Sequence, residues 1–227
     1  MKNTIDVKNI LDNELHRIFH SEADFQHALS WELHKQYCED TDRQIRLERP
    51  KLIPVNINSK NRKEINAKNQ KERIYIDILI RGNHEIIPIE LKYKTAKLKI
   101  DEFDLKEHSS HDTSRYDYVK DIERIEKVLS GQNGYGFAIF LTNDSRYWKK
   151  PGQGRTPQDE QFRIHEGQTL QGKLKWEGAK ESTVGKKRCH NIELENTYNL
   201  NWRRYTYNNT CKNKPNGEFR YLAVKIK

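Results

Sequence analysis

Arg73 to Thr95 reads RIYIDILIRGNHEIIPIELKYKT, two strand-like halves around a short turn. The first half, Ile74-Tyr75-Ile76-Asp77-Ile78-Leu79-Ile80, is apolar and β-branched at nearly every position, as expected of a strand covered on both faces. A single acid, Asp77, interrupts it. In the second half, Ile86 to Tyr93, alternation puts Glu90 and Lys92 on one face and Ile87, Ile89, Leu91 and Tyr93 on the other. Gly82-Asn83 supplies the turn signal in a connection short enough for a β-hairpin. With a loop over Gly82 to Glu85, Arg81 pairs with Ile86 and, counting outward, Asp77 lies opposite Glu90. Two carboxylates and an ammonium then converge on one small patch of sheet.

Charged groups in a half-buried sheet lose hydration, so this convergence needs compensation. A divalent cation is the natural partner: two carboxylates plus water suit Mg²⁺, which prefers oxygen ligands and keeps several waters. Lys92 would orient or polarise an attacking water. The competing reading is that Asp77 and Glu90 pair with Lys92 or other cations at a sheet edge, where inward charges discourage pairing with another chain.

Asp77, then twelve residues, then Glu90-Leu91-Lys92 between two apolar strands resembles the signature of the PD-(D/E)XK nucleases. That superfamily includes many restriction endonucleases, archaeal Holliday-junction resolvases and the nuclease domains of recombination enzymes. Ile76 stands where the family often has proline. The resemblance implies an α/β, restriction-endonuclease-like fold, with an αβββαβ core and a mixed central sheet flanked by helices. It further implies Mg²⁺, with Mn²⁺ able to substitute, held by Asp77, Glu90 and Glu22, while Lys92 positions the water. The substrate so implied is nucleic acid, DNA ahead of RNA, and a homodimer is allowed for. A catalytically inactive nucleic-acid-binding module of the same fold is the alternative.

With 227 residues the chain can bury one good core, or one core with an insertion. A single nuclease-like domain over 1–227 is expected, its core spanning about 1–142 and 218–227 and a β-rich extension about 143–217. Hydrophobic residues make up 34% and charged residues 33%, so the polar excess must lie in loops and outer faces. A net charge of +9 favours a polyanionic partner, nucleic acid before an acidic membrane, because no amphipathic anchor is evident. No run approaches the roughly eighteen apolar residues of a membrane span, and the N-terminal residues lack a signal-peptide pattern. A cytoplasmic protein is expected. Cys38, Cys189 and Cys211 are odd in number and widely separated, which argues against a disulfide framework. A zinc site from Cys189, His190 and Cys211 lacks any supporting CxxC or HxxxH spacing.

Residues 4–20 carry apolar side chains at helical spacing, which predicts a first helix. Ser21 is a good N-cap, so a second helix should run from Glu22 to about Tyr37. Glu22 and Glu32 both lie near its apolar stripe, and either could supply the helix acid of the nuclease family. The Ser21-Glu22-x-x-Phe25-Gln26 run resembles that helix in the superfamily and favours Glu22; an acid in a first turn also gains simply from the helix dipole. His16, His20, His27 and His34 read as solvated. Gln44 to Glu48 reads as a strand stopped by Pro50 and Pro54, from whose end Glu48 could approach the site.

Asn56 to Arg73 has almost no apolar residues and reads as a loop whose Lys60, Arg62, Lys63 and Lys68 would clamp a phosphate backbone or merely be solvated. After the hairpin and a charged connection, Ser114 to Ser130 returns to helical spacing. Arg115, Lys120 and Arg124 on it could face substrate. Tyr135 to Thr142 reads as a buried strand. Beyond Asn143, short strands are expected around Leu170 to Trp176 and Ile192 to Trp202. Trp202-Arg203-Arg204-Tyr205 would either stack bases and contact phosphate or pack the extension. Phe219 to Ile226 is expected to rejoin the main sheet.

Overall fold

Ser21 stops one turn of chain and starts another. Its Oγ accepts the Asp24 N–H at 3.1 Å, and the helix it caps, α2, runs Glu22–Tyr37. The computed structural model describes residues 4–54, 71–100, 103–152, 154, 157–179, 181–207 and 214–227. Before α2 the first helix, α1, covers only Val7–Asn13, capped by the Asp6 carboxylate. The single helix expected over 4–20 is therefore too long. Leu15, Ile18 and Phe19 are nevertheless buried, so the helical spacing registered apolar contacts made by a turn.

The strands are β1 (Gln44–Pro54), β2 (Lys71–Arg81), β3 (Ile86–Lys94), the short pair β4 (Leu98–Ile100) and β5 (Phe103–Leu105), and β6 (Gly136–Thr142). Helix α3 (His111–Leu129) lies between β5 and β6. The extension contributes a 3₁₀ turn at Glu160–Phe162, β7 (Thr169–Leu174), α4 (Glu181–Val184), β8 (Ile192–Asn199) and β9 (Trp202–Tyr205), and the chain closes on β10 (Phe219–Ile226). The main sheet has the order β1-β2-β3-β6-β10-β9. Only β3 and β6 run parallel; every other neighbouring pair is antiparallel. The result is an α/β architecture with a mixed central sheet.

Each face of that sheet has its own core. Ile87, Ile89, Leu91 and Tyr93 of β3 pack with Ile10, Leu11, Phe25 and Leu29 of α1 and α2. On the opposite face Tyr118, Val119, Ile122 and Ile125 of α3 pack with Ala138, Phe140 and the extension's Leu170, Ile192 and Trp202. The β2–β3 register is the one expected, with Arg81 opposite Ile86 and Gly82 closing the turn onto the Glu85 carbonyl at 3.0 Å.

Three expectations need correction. β1 continues through Pro50 to Pro54, which is tolerated because β1 is an edge strand, the place in a sheet where proline is accommodated. Lys71, Glu72 and Arg73 belong to β2 and not to the preceding loop. β9 leaves the extension to form the far edge of the main sheet beside β10. Residues 55–70, with Lys60, Arg62, Lys63 and Lys68, lie outside the described residues. Among the described residues no helix is long and apolar enough to cross a membrane.

Candidate active site

Strand β2 changes faces at Asp77. Ile74 and Ile76 belong to the core under α3, whereas Ile78 and Ile80 belong to the core under α1 and α2. Strict alternation would keep all four on one side. The switch falls at Asp77, and the neighbouring strand is distorted at the same place: Glu48 has φ +48°, and the pairs Leu47–Ile78 and Arg49–Ile76 flank it. A non-glycine residue with positive φ is strained, and such strain gathers at functional sites.

On its other side β2 parts from β3. Backbone pairing stops at Ile78–Ile89, one step short of the expected Asp77–Glu90 pair. Carboxylates then take over the β3 edge: Asp77 Oδ2 accepts the Leu91 N–H at 2.7 Å and Glu22 Oε2 accepts the Tyr93 N–H at 2.7 Å. Side chains thus fill the place of a diverging strand. Gln26, one turn after Glu22 on α2, braces the fork by donating its amide to the Asp77 carbonyl at 2.7 Å and to Glu48 Oε1 at 2.9 Å. Glu32, the alternative helix acid, instead pairs with Lys35 at 3.2 Å.

Glu90 and Lys92 project from β3 toward α3, where they meet Asp121. Lys92 Nζ lies 2.5 Å from Asp121 Oδ2, and Asp121 Oδ1 accepts from Arg124 at 3.0 Å. The Asp121 side chain is 1% exposed and that of Lys92 16%, so the pair is shielded from water but open on the lysine side. Lys92 also donates to the Leu91 carbonyl at 3.2 Å. Glu90 is buried, and among the described residues its Oε1 has no hydrogen-bond partner.

The electrostatics follow from four acids, Glu22, Asp77, Glu90 and Asp121, around Lys92 and Arg124. Burial pushes the Asp77 carboxyl up to about 6, against the opposing pull of Lys92 and the Leu91 N–H. Burial, then Asp121 and Asp77, holds Glu90 well above the ordinary carboxylate range. Burial alone would depress the Lys92 ammonium, but Asp121, Glu22 and Glu90 reverse this and hold it above the usual lysine value. An orphaned carboxylate oxygen beside a second strained carboxylate is an arrangement that a cation relieves. Among the described residues no three His, Cys, Asp or Glu side chains form a ready metal cage. Two carboxylates and retained water still suit Mg²⁺.

Asp77, Glu90, Lys92 and Glu22 are therefore gathered at one fork, as the sequence suggested, while Asp121 and Gln26 were not foreseen as members. The proposed nucleic-acid contacts fare differently. Lys120 lines a groove beside Lys92 and pairs with Glu123 at 2.5 Å. Arg115 is buried against Asp159 at 2.7 Å and does not face a substrate. Arg203 pairs with Asp12 at 2.9 Å and Arg204 lies 3.8 Å from Glu218, both on β9 at the far edge of the sheet. Trp202 and Tyr205 are buried, donating to the Ile164 and Arg17 carbonyls, so they pack the core and offer no base a stacking surface. Cys189 donates to the Lys186 carbonyl at 3.0 Å, and Cys211 lies outside the described residues.

Fold and fork together define an α/β protein whose mixed sheet opens between two strands to gather carboxylates around one lysine. The chain matches no protein-family model, no curated protein and no solved structure.

Proposed function

We propose that the protein is a metal-dependent endonuclease that hydrolyses phosphodiester bonds of nucleic acid, DNA ahead of RNA, in the manner of the PD-(D/E)XK superfamily it resembles. The observation that carries this reading is the buried, unpartnered Glu90 Oε1 at the fork where Asp77 and Lys92 also converge. The elements α2, β1, β2, β3, α3 and β6, with the short pair β4 and β5 between β3 and α3, also agree with an αβββαβ core. Asp77 and Glu90 would hold Mg²⁺, with Glu22 completing the set, and the bound ion would activate water and offset charge on the phosphoryl group. Lys92 then aims its ammonium at the water or the developing charge, and the α3 side admits the phosphate.

One observation favours a second reading, the catalytically silent nucleic-acid-binding module. Lys92 spends its ammonium on Asp121 at 2.5 Å. The two readings part on metal. The nuclease nicks or linearises plasmid, single-stranded or branched DNA with Mg²⁺ or Mn²⁺, and binds DNA without cutting in Ca²⁺, whose irregular geometry places water poorly. Asp77→Asn weakens metal uptake and abolishes cleavage, whereas Lys92→Ala keeps metal uptake by calorimetry and loses the chemical step. A folded protein that binds DNA, cuts none of these substrates and gives no heat with metal is the silent module.

A further inference from the structure

We propose that the β-rich extension walls a basic groove that takes one strand of nucleic acid and leads it to Lys92. This rests on the nucleic-acid reading above and assigns the route that reading leaves open. The groove has a volume of about 980 Å³ and is lined by the start of β2, by α3 and by residues 186–190 of the extension, with Lys92 and Asp121 in its wall. Nine of its lining side chains are cationic against three carboxylates, so an anion is favoured all along it.

The charge is unevenly committed. Lys120 and Lys127 on α3 share Glu123, at 2.5 and 3.2 Å. Lys71 and Arg73 on β2, and Lys186 and Lys187 on the extension, are exposed, and no ion pair to them is seen among the described residues. The uncommitted cations therefore stand on two opposite sources of lining, with α3 between. Four such groups can release counterions from a phosphate backbone without first breaking an internal pair.

The extension side is fixed in advance. Arg188 grips Asp117 of α3 through two bonds of 2.7 Å. The Tyr116 hydroxyl donates to the His190 carbonyl at 3.0 Å, and Trp176 donates to the Arg188 carbonyl at 2.7 Å while stacking on Tyr116 at 5.4 Å. Lys186 and Lys187 are thereby carried on an anchored loop, which lowers the ordering cost of binding. The space lies at the top of the roughly 300–1,000 Å³ range of small-molecule pockets, room for a few nucleotides of one strand.

The test is fluorescence anisotropy of a short, labelled, mixed-sequence single strand in EDTA, so that cleavage plays no part. Lys186→Ala/Lys187→Ala should weaken binding about tenfold and reduce the log–log salt slope by about 1.4, the loss of two phosphate contacts. The control Lys149→Ala/Lys150→Ala, exposed lysines outside the groove lining, should change neither. If the parent binds and the first variant retains affinity and slope, the groove is not the route, while the nuclease reading stands. Tighter binding of a duplex of equal length than of the single strand overturns the one-strand assignment. A parent that binds neither in EDTA nor when Ca²⁺ replaces it overturns both readings.

Discussion

Asp77 ends the β2–β3 ladder, marks the face switch of β2 and faces Glu90, and these roles conflict with its charge. Its carboxyl is held up to about 6 from an ordinary 3.8, so the folded state binds more protons than the unfolded state between those values. The sign is then fixed: stability of the metal-free protein falls as pH rises through this window, by roughly 2 kcal/mol from this group between pH 4 and 7. Asp77→Asn keeps the acceptor for the Leu91 N–H and removes the charge. Urea unfolding at pH 4 and pH 7 should show the parent losing more stability than the variant, and Mg²⁺ should restore it to the parent alone. An equal loss in both would remove Asp77 as the source. Asp121 makes a second prediction, because its charge does more than any other to hold Lys92 above its usual range. Asp121→Asn should move the alkaline limb of a Mg²⁺-dependent cleavage profile to lower pH, and an unmoved limb would leave Asp121 a packing residue only. Asp77, Glu90 and Lys92 were legible because alternation and a four-residue loop fix their register. Asp121 was not, since an acid beside Lys120 and Arg124 on a helix has the sequence pattern of a solvated face.

At the scale of elements, α3 is a carboxylate-bearing splint for the extension. Glu126 is buried and accepts from Glu195 N, Asn196 N, Asn196 Nδ2 and the Tyr198 hydroxyl at 2.7 to 3.0 Å, and Glu123 accepts the Glu193 N–H at 3.1 Å. β8 is paired on one side by β7 and tied on another by these acids. Glu126→Ala strands four donors, each worth about 1–3 kcal/mol if left unsatisfied, and water re-entering the site recovers part of that. Hydrogen exchange should quicken at Ile192–Asn199 and Thr169–Leu174 while β3 and β6 stay protected; uniform exchange across the chain would contradict a local splint. The sequence showed α2, β2, β3, α3 and β6 through periodicity and turns. It hid the length of β1, because proline reads as a strand stop unless the strand is known to be an edge. It hid the splint too, since Glu123 and Glu126 look like the polar face of an amphipathic helix until β8 arrives.

Across the whole molecule, the chain's last strand completes its first layer. β10 lies between β6 and β9, paired with Gly136 to Thr142 on one side and with Trp202 to Tyr205 on the other. Its Tyr221 and Phe219 enter the core under α1 and α2, and its Leu222, Val224 and Ile226 enter the core under α3. One strand therefore seals both faces, and the Tyr221 hydroxyl reaches the Asp12 carboxylate at 2.7 Å, joining the two ends of the chain. Burying five such side chains contributes on the order of 10 kcal/mol. That equals the whole stability of a typical domain, about 5–15 kcal/mol. A chain ending at Glu218 should consequently fail to fold, leaving β6 with an open edge and β9 without its partner in the main sheet. Circular dichroism and limited proteolysis of this truncation should show lost tertiary signal and rapid digestion even within α2, far from the cut. The single substitution Ala223→Asp, at the centre of β10 opposite Ile139, should reproduce the loss by placing an unpaired charge in the core under α1 and α2. A truncated chain that kept a cooperative thermal transition and a protected β3 would mean that the core closes without its final strand.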